Sequence, residues 1–512
     1  MTLSIPVALS DQQVDRLLEA DRPAKRQRVE SVPLVDEPDE PGDSSLVIRH
    51  PMGVRPSGNA LTSTHNLKAA CGYLAALPDE LVVQLLESLE ARDLLLLGGT
   101  CKALYSFTRS EELWRTLFVE SHPREFSWQG TWRSSYLAQR VSKEPRVDCS
   151  HLFSDVLHRP FFCAHVSLAP FTTNIPNHNQ VARLSDLSPE AFQADWVNRP
   201  FILTEPVKQW PVYKTWSTDQ LLSTYADVAF RAESVDWPLK TYLDYMNSEA
   251  DESPLYLFDR SFVEKMKLAV STQPNQASDY WPPSCFGSDL FSVLGDNRPD
   301  HRWLIVGPER SGSTFHKDPN ATSAWNAVIT GSKYWIMFPS SASLPPPPGV
   351  YVSEDQSEVT SPLSIAEWLL GFHAEARQTA GCVEGICGQG EVLHVPSGWY
   401  HLVLNLEPSI AITQNFVPRK RVGAVLQFLR DQKQSISGFS DNIVDPYALF
   451  VNRLKEHDEP LLEEGLQELE RLSKGGKGKW EELTKGEAGD EEDAEVGFSF
   501  GFGGGDDDAD VP

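Results

Sequence analysis

The chain has 512 residues, of which 40% are hydrophobic and 10% aromatic, and its formal net charge is −27. A chain of this length is predicted to form two or three domains. The negative charge disfavours nonspecific nucleic-acid binding, which depends on clustered Lys and Arg, and makes a basic substrate or partner easier to accept. The seven scattered cysteines fit no disulfide framework, and no apolar run is long enough to span a bilayer. We therefore expect an intracellular protein without a membrane span.

Residues 1–70 are rich in Pro, Ser and Asp and lack a periodic apolar pattern, which predicts a mostly disordered arm. Within this arm, Pro23-Ala-Lys-Arg-Gln-Arg-Val29 has the composition of a short nuclear-import signal, although a chance basic cluster is the alternative. We expect a nuclear protein that can also occur in the cytoplasm.

Three short apolar helices are predicted between residues 71 and 120. Leu81, Leu85 and Leu89 recur at helical spacing after Leu77-Pro78, and a third run carries Leu113-Trp114. Helices of this length bury little surface by themselves, so they need a partner or a neighbouring domain.

The same segment resembles an F-box. It shares the opening Leu-Pro-x-Glu-Leu from Leu77, the Cys-Lys pair at Cys101 and the closing Leu-Trp-x-x-Leu-Phe from Leu113. The resemblance implies docking on the Skp-type adaptor of a cullin–RING ubiquitin ligase. A plain three-helix packing unit is the alternative.

After a helical linker over 121–160, residues 161–418 contain many short runs of β-branched and aromatic residues bounded by Gly and Pro. This pattern predicts a mainly β domain with flanking helices, a double-stranded β-helix of the jelly-roll, cupin-like kind. Helices are predicted over 419–473, followed by a disordered acidic tail over 474–512. The amphipathic stretch 445–472 either packs on the barrel or forms a homodimer.

The triplet His316-Lys-Asp318 follows a predicted strand, and His401 opens a later one after a Gly-containing turn. In an extended segment residues i and i+2 face the same way, so His316 and Asp318 can both point into a barrel. A lone His-x-Asp is a weak signal because such triplets occur by chance. Two imidazoles and one carboxylate together leave positions open on an octahedral iron for a keto acid and dioxygen. The combination predicts an Fe(II) site.

Lys333 begins the apolar strand Lys-Tyr-Trp-Ile-Met-Phe. A lysine that faces into a barrel is costly unless it meets an anion, and the distal carboxylate of 2-oxoglutarate would supply one. Thr413 and Asn415 alternate onto one face with Ala411 and could add hydrogen bonds to that anion. An outward-pointing charge at a sheet edge is the alternative for Lys333.

Residues from about 180 to 418 resemble the Jumonji-C oxygenases, in the branch related to the phosphatidylserine receptor. The matching segments are Ser253–Asp259, Trp303–Gly312, His316–Asn326, Gly331–Trp335, Val395–His401, Leu404–Leu406 and Ile410–Phe416. The resemblance implies that iron is ligated by His316, Asp318 and His401. It also implies 2-oxoglutarate contacts for Tyr256, Ser313, Asn326, Lys333 and Thr413.

Two positions depart from the pattern of this branch. Ser313 stands where the family often has Thr, but it keeps the hydroxyl group. Lys317 is unusual beside a metal, and we expect it to point away because it is one residue out of phase with His316.

The activity implied by the resemblance is oxidative decarboxylation of 2-oxoglutarate to succinate with Fe(II) and O2, coupled to hydroxylation of a substrate C–H bond. Hydroxylation of an N-methyl group would remove that group. The family's usual targets are Lys and Arg side chains of proteins. The alternatives are a ubiquitin-ligase substrate receptor whose barrel only binds its target, and a cupin-like sugar or metal-storage barrel.

Overall fold

The computed structural model describes residues 49–121, 126–139, 147–248, 250–341, 343–353 and 358–471. The predicted import segment and the predicted acidic tail lie outside these residues. The chain divides into two compact units: unit 1 comprises Met1–Pro170 and Ser234–Pro254, and unit 2 comprises Phe171–Glu233 and Leu255–Pro512.

The α-helices are, in chain order, α1 (Asp79–Glu87), α2 (Ala91–Gly98), α3 (Lys102–Phe107), α4 (Glu111–Ser121), α5 (Trp132–Tyr136), α6 (Asp155–His165), α7 (Ala169–Thr172), α8 (Pro189–Ala191), α9 (Pro211–Thr215), α10 (Thr218–Tyr225), α11 (Leu239–Met246), α12 (Phe262–Met266), α13 (Ile365–Ala376), α14 (Val422–Asp431) and α15 (Pro446–His457). A further helix covers 459–471. Short 3-10 segments include Ser57–Leu61, Leu67–Ala76, Leu290–Asn297, Pro319–Ala321 and Arg419–Arg421.

The strands are β1 (Ala182–Leu184), β2 (Phe201–Leu203), β3 (Ala229–Ala232), β4 (Val235–Pro238), β5 (Leu257–Asp259), β6 (Arg302–Gly307), β7 (Gly312–His316), β8 (Ser323–Thr330), β9 (Lys333–Phe338), β10 (Tyr351–Val352), β11 (Val359–Thr360), β12 (Val383–Cys387), β13 (Val392–Val395), β14 (Tyr400–Asn405) and β15 (Ser409–Phe416).

The F-box segment, for which three helices are predicted, contains four in the structure, α1 to α4 of unit 1. α1 starts after Pro78 and carries Asp79 and Glu80 in its first turn, where carboxylates meet the positive end of the helix dipole. It buries Val82 and Leu86, and α4 buries Leu113, Trp114 and Phe118. The buried face of α1 is thus formed by Val82 and Leu86, whereas Leu81 and Leu85 of the predicted apolar periodicity are exposed.

Residues 49–70 are structured, whereas the sequence predicts a mostly disordered arm over residues 1–70. Val54 is buried with an exposed fraction of 2%. The backbone of Arg55 bonds to Leu152 and Ser154, at 3.1 and 2.9 Å. These long-range bonds, which local composition does not reveal, order the segment.

Unit 2 contains two sheets that form the predicted barrel. In the larger sheet the strands of this unit follow the order β1-β2-β13-β8-β15-β6-β5-β3, and a four-stranded sheet follows the order β12-β9-β14-β7. Ile202, Val328 and Leu393 of the larger sheet pack with Trp335 and Val403 of the smaller sheet in one buried cluster. The predicted double-sheet barrel is thus confirmed.

The C-terminal helices flank this barrel. α14, α15 and helix 459–471 bury Leu426, Phe450 and Leu461 in one cluster with Phe291 and Val417. The apolar face of the amphipathic stretch is therefore covered within unit 2, as far as residue 471. This favours the packing alternative, and the homodimer stays a prediction.

Among the described residues, no single helix is long and apolar enough to cross a membrane. One bent pair, Leu67–Ala76 with Asp79–Glu87 at 75°, meets the length and composition criteria only when taken together.

Candidate metal centre and anion pocket

Adjacent strands of the smaller sheet place His316 directly opposite His401 in the β7–β14 register. Opposite residues of an antiparallel pair point to the same face, and the ring centroids of these two lie 4.1 Å apart. Asp318 follows just beyond the end of β7. One ligand atom from each of the three side chains lies within 4.8 Å of the others.

A β-bulge sets which side chains of β7 face the barrel interior. His401 pairs with His316, whereas Val403 pairs with Ser313, so β7 has one residue more than β14 between these pairs. In a regular strand Ser313 and His316 would face opposite sides. Because the extra residue shifts the alternation, the half-buried Ser313 shares the inner face with His316.

The imidazoles are oriented by backbone carbonyls. The Nδ1 atom of His316 lies 2.7 Å from the Thr314 oxygen, and that of His401 lies 3.0 Å from the Trp399 oxygen. A carbonyl only accepts, so each Nδ1 carries the proton and each Nε2 keeps a lone pair. Burial, reinforced for His316 by the neighbouring imidazole, lowers the pKa of both rings to about 4. Both are thus neutral near pH 7, the form that ligates metals.

Asp318 supplies the third donor. Burial raises the pKa of its carboxyl group to about 6, against the opposing effects of His316 and a hydrogen bond from Asn415. Its Oδ2 atom is buried and has no hydrogen-bond partner among the residues that the structure describes. An unpartnered carboxylate oxygen beside two imidazole lone pairs fits a divalent metal, and this donor set suits Fe(II).

Lys333 is fully buried, and its ammonium donates to Tyr256 Oη and Asn405 Oδ1, both at 2.7 Å. Burial lowers the pKa of Lys333 to about 7. Within the described part of the chain, no carboxylate pairs with this ammonium. A buried cation without a counter-charge is costly, so the pocket fits an anionic ligand such as 2-oxoglutarate.

Asn326 and Thr413 lie directly opposite each other on β8 and β15. Asn326 Oδ1 is buried, and no described residue donates a hydrogen bond to it. The Thr413 hydroxyl donates to the Trp325 carbonyl at 2.9 Å, so it must rotate before it can donate to an anion. Both residues therefore lie in the barrel interior. The Asn326 acceptor atom still needs a donor, whereas the Thr413 hydroxyl already donates to a carbonyl.

Asn405 is the residue to which sequence reasoning assigned no role. It lies opposite Lys333 in the β14–β9 register, accepts from the ammonium and donates to Ser311 Oγ at 2.9 Å. A polar residue directly after the apolar run Leu402–Leu404 of β14 was the available signal. Asn415, which was expected at the anion, bonds to Asp318 instead.

The side chains flanking the cluster follow the strand alternation. Trp335 stacks on the inward-facing His401, with ring centroids 6.0 Å apart. The Lys317 ammonium lies 5.2 Å from the ring of Tyr400, which is one residue out of phase with His401. The prediction that Lys317 points away from the histidine cluster is thus confirmed.

Comparison with known families matches both parts of the chain. A model described as a cupin-like domain matches residues 189–421, and a model described as F-box-like matches residues 74–120. The domain boundaries assigned from the sequence, including 71–120 and 161–418, stay predictions.

Three relatives illustrate the similarity. The arginine-specific demethylase JMJ22 of Arabidopsis thaliana is 40% identical over 404 residues, which cover 76% of this chain and 78% of that protein. The bifunctional arginine demethylase and lysyl-hydroxylase psr-1 of Caenorhabditis elegans is 33% identical over 264 residues, covering 49% of this chain and 63% of the relative. The 2-oxoglutarate and iron-dependent oxygenase JMJD4 of Danio rerio is 31% identical over 168 residues, covering 31% and 36%.

These similarities agree with the two-sheet barrel and with its His-Asp-His cluster. They confirm the predicted enzyme class and cofactors. The chain belongs to the cupin-like JmjC family of iron- and 2-oxoglutarate-dependent oxygenases, and it carries an F-box-like segment ahead of that domain.

Proposed function

We propose that His316, Asp318 and His401 hold Fe(II), and that Lys333 holds a carboxylate of 2-oxoglutarate. The observation that carries this proposal is that three unprotonated donor groups share the barrel interior with an ammonium group that meets no carboxylate among the described residues. Bound iron supplies the activation of O2 that allows oxidative decarboxylation of 2-oxoglutarate to succinate.

The surrounding residues orient the ligands and exclude water. Thr314 and Trp399 fix the imidazole tautomers through their carbonyls, and Asn415 orients the Asp318 carboxylate. Met337 and Val403, both buried, line the adjacent interior. A dry pocket strengthens the attraction between Lys333 and an anion and limits side reactions.

We place the substrate among Arg and Lys side chains of proteins, to be hydroxylated or N-demethylated. Of the relatives described above, JMJ22 and psr-1 are named as arginine demethylases, and psr-1 also as a lysyl-hydroxylase. The net charge of −27 favours basic partners.

The test follows succinate formation by anaerobically iron-loaded protein that is then exposed to air, with peptides containing Lys, Arg or methylated Arg. Mass spectrometry of the peptide distinguishes gain of an oxygen atom from loss of a methyl group. His316→Ala should lose activity. His394→Phe is the matched control, because His394 is a buried histidine that packs among Phe rings away from the cluster. A wild-type protein that neither retains iron nor forms succinate would contradict the proposal.

A second proposal concerns the F-box-like segment: we propose that it docks a Skp-type adaptor and so links the oxygenase to a cullin–RING ubiquitin ligase. Leu81 and Leu85 occupy one face of α1, four residues apart, with exposed fractions of 45% and 50%. Leu96 of α2 is 47% exposed. Large exposed apolar side chains are typical of a docking surface.

The docking test is binding of purified adaptor to the full chain. The double substitution Leu81→Asp, Leu85→Asp should abolish binding. Leu61→Asp, at a position that is 91% exposed outside the F-box helices, should not. If adaptor binds and no succinate forms under any condition, the alternative of a substrate receptor with a purely binding barrel replaces the oxygenase proposal.

Nuclear localisation is also a proposal, supported by the basic composition of residues 23–29. A fluorescent fusion of the full chain should lose nuclear enrichment when Lys25, Arg26 and Arg28 are changed to Ala. Unchanged distribution would contradict it.

A further inference from the structure

Two loops flank the candidate iron ligands, one carrying Asp318 and the other preceding His401, and they connect the same two pairs of adjacent strands. Loop 317–322 runs from β7 to β8, and loop 396–399 runs from β13 to β14. The strands on one side of the loops, β7 and β14, are paired, with His316 opposite His401. The strands on the other side, β8 and β13, are also paired, with Ala324 opposite Val395. Both loops therefore span the sheets at the same end of the barrel.

Loop 317–322 has a backbone that local sequence does not favour. Asn320 and Ala321 adopt φ angles of 55° and 53°, in the left-handed region. Asn tolerates this region, but Ala does so rarely because its Cβ approaches the backbone. The conformation that places Asp318 against the histidines thus needs support from outside the loop.

On one side this support comes from the Asn320 amide. Its Nδ2 donates to the Ser437 carbonyl at 2.9 Å, and its Oδ1 accepts from the Ser437 N–H at 3.2 Å.

On the other side the support comes from Ser397, in the loop that precedes His401. Its hydroxyl donates to the Ala321 carbonyl at 2.6 Å, and its backbone N–H donates to Ser323 Oγ at 3.1 Å. Arg421 donates to the same hydroxyl at 3.2 Å, which fixes its direction. Ser397 is 9% exposed, so water competes little for these bonds.

We propose that Ser397 is a positioning residue that ties the Asp318 loop to the His401 loop and thereby sets the geometry of the metal site. The inference rests on the proposed function, because it takes His316, Asp318 and His401 as the ligands. Without the Ser397 hydroxyl, Ala321 can leave its left-handed conformation and carry Asp318 away from the two imidazoles. The hydrogen bonds of Ser397 described above go to Ser323, Ala321 and Arg421 and not to a ligand, so it acts through the two loops.

A purely structural serine would affect stability without affecting the metal site. Ser409 provides the matched control, since it is 1% exposed and its hydroxyl donates to the Glu407 carbonyl at 2.7 Å, away from both ligand loops. Ser397→Ala and Ser409→Ala should therefore lower thermal stability similarly and differ in metal affinity.

The experiment is calorimetric titration of the metal-free full chain with Co(II), together with the visible absorption spectrum of bound Co(II), which reports coordination geometry. Ser397→Ala should weaken Co(II) binding by about tenfold or more, the effect typical of lost outer-shell support, and should alter the spectrum. Ser397→Thr, which retains the hydroxyl, should restore both. Ser409→Ala should leave both unchanged.

Unchanged affinity and spectrum in Ser397→Ala, or equal losses in Ser409→Ala, would overturn the positioning role alone. Absence of Co(II) binding by wild type, or wild-type binding by His316→Ala, would overturn the proposed metal site and the positioning role with it. Should Ser397→Ala fail to fold, Arg421→Gln serves as the second variant. It should weaken binding several-fold, and wild-type affinity in it would equally overturn the role.

Discussion

Unit 2 buries two clusters of charged side chains that differ in how completely the protein satisfies them. The Glu384 carboxylate accepts from Arg377 Nε at 3.0 Å and from Tyr334 Oη at 2.7 Å. Burial acts to raise the pKa of Glu384, but hydrogen bonds from its partners bring that pKa down to about 2. In the other cluster, Asp318 Oδ2 has no partner and Lys333 has no counter-charge within the described residues.

The difference separates a structural cluster from a ligand-binding one. A fully paired buried charge holds elements together, whereas an unpaired one destabilises the free protein and is relieved when a ligand binds. Substitutions in the Glu384 cluster should thus affect folding, and substitutions in the Asp318–Lys333 cluster should affect binding.

The largest effect is expected for His316→Ala. It removes one of three donors, so metal affinity should fall by more than the roughly 10- to 100-fold typical of outer-shell changes, and succinate formation should cease. Calorimetric metal titration measures this, with His394→Phe as the control. Retained affinity in His316→Ala would assign the metal to other residues.

Glu384→Ala should affect stability instead. It leaves the buried Tyr334 hydroxyl and the partly exposed Arg377 guanidinium without their carboxylate, which should lower the free energy of unfolding by about 1–3 kcal/mol. Urea unfolding measures the loss, and 2-oxoglutarate affinity of the folded variant should stay as in wild type. A loss of affinity without a loss of stability would reverse the distinction between the clusters.

Lys333→Met should weaken 2-oxoglutarate binding without loss of stability, the reverse of what we expect for Glu384→Ala. A charge-assisted hydrogen bond is worth about 1.5–3 kcal/mol, so 2-oxoglutarate affinity should fall by roughly ten- to a hundredfold. The free energy of unfolding should hold or rise, because a buried cation has been replaced by an apolar side chain of similar length. Marked destabilisation without weaker binding would make Lys333 a structural residue.

A change of pH should affect 2-oxoglutarate affinity less than these substitutions do, and it should act through the protonation of Lys333. The pKa of Lys333 is lowered from 10.5 to about 7, so the ammonium is progressively lost above pH 7 in the free protein. Affinity should therefore decrease as pH rises above 7, by at most about tenfold per pH unit, with proton uptake on binding. Titration in two buffers of different ionisation enthalpy measures that uptake.

The same lowered pKa of Lys333 predicts that the free energy of unfolding changes with pH in the direction opposite to that of 2-oxoglutarate affinity. Between about pH 7 and 10.5 the unfolded chain binds more protons at Lys333 than the folded chain, so the ligand-free protein should become more stable as pH rises through this window. Both slopes should disappear in Lys333→Met, and their persistence there would assign them to another group.

The barrel and the candidate ligands were predictable because each depends on local pattern. Strand alternation places His316 and Asp318 together, and a lysine in an apolar strand indicates an anion. The β-bulge that turns Ser313 inward was not predictable, since it arises from the pairing of β7 with β14. The same holds for the bond from Ser397 to Ala321, which joins residues far apart in sequence.

Asn415 illustrates a partial success. The alternation of strand residues correctly placed Asn415 on the inner face with Thr413. Its hydrogen-bond partner, however, depends on which side chains the loops bring into the barrel. The Asp318 carboxylate beyond the end of β7 accepts its hydrogen bond. Local spacing gives the face of a strand residue, whereas tertiary geometry gives its partner.

We propose that the metal held by the His316, Asp318 and His401 cluster binds the same 2-oxoglutarate molecule as Lys333. This proposal is tested most directly by titrating 2-oxoglutarate under anaerobic conditions into wild type, His316→Ala and Lys333→Met, each with and without Fe(II). We expect Fe(II) to strengthen 2-oxoglutarate binding to wild type and His316→Ala to lose this strengthening. Lys333→Met should bind 2-oxoglutarate weakly with or without metal. Binding that ignores Fe(II) in wild type, or that survives unchanged in Lys333→Met, would contradict it.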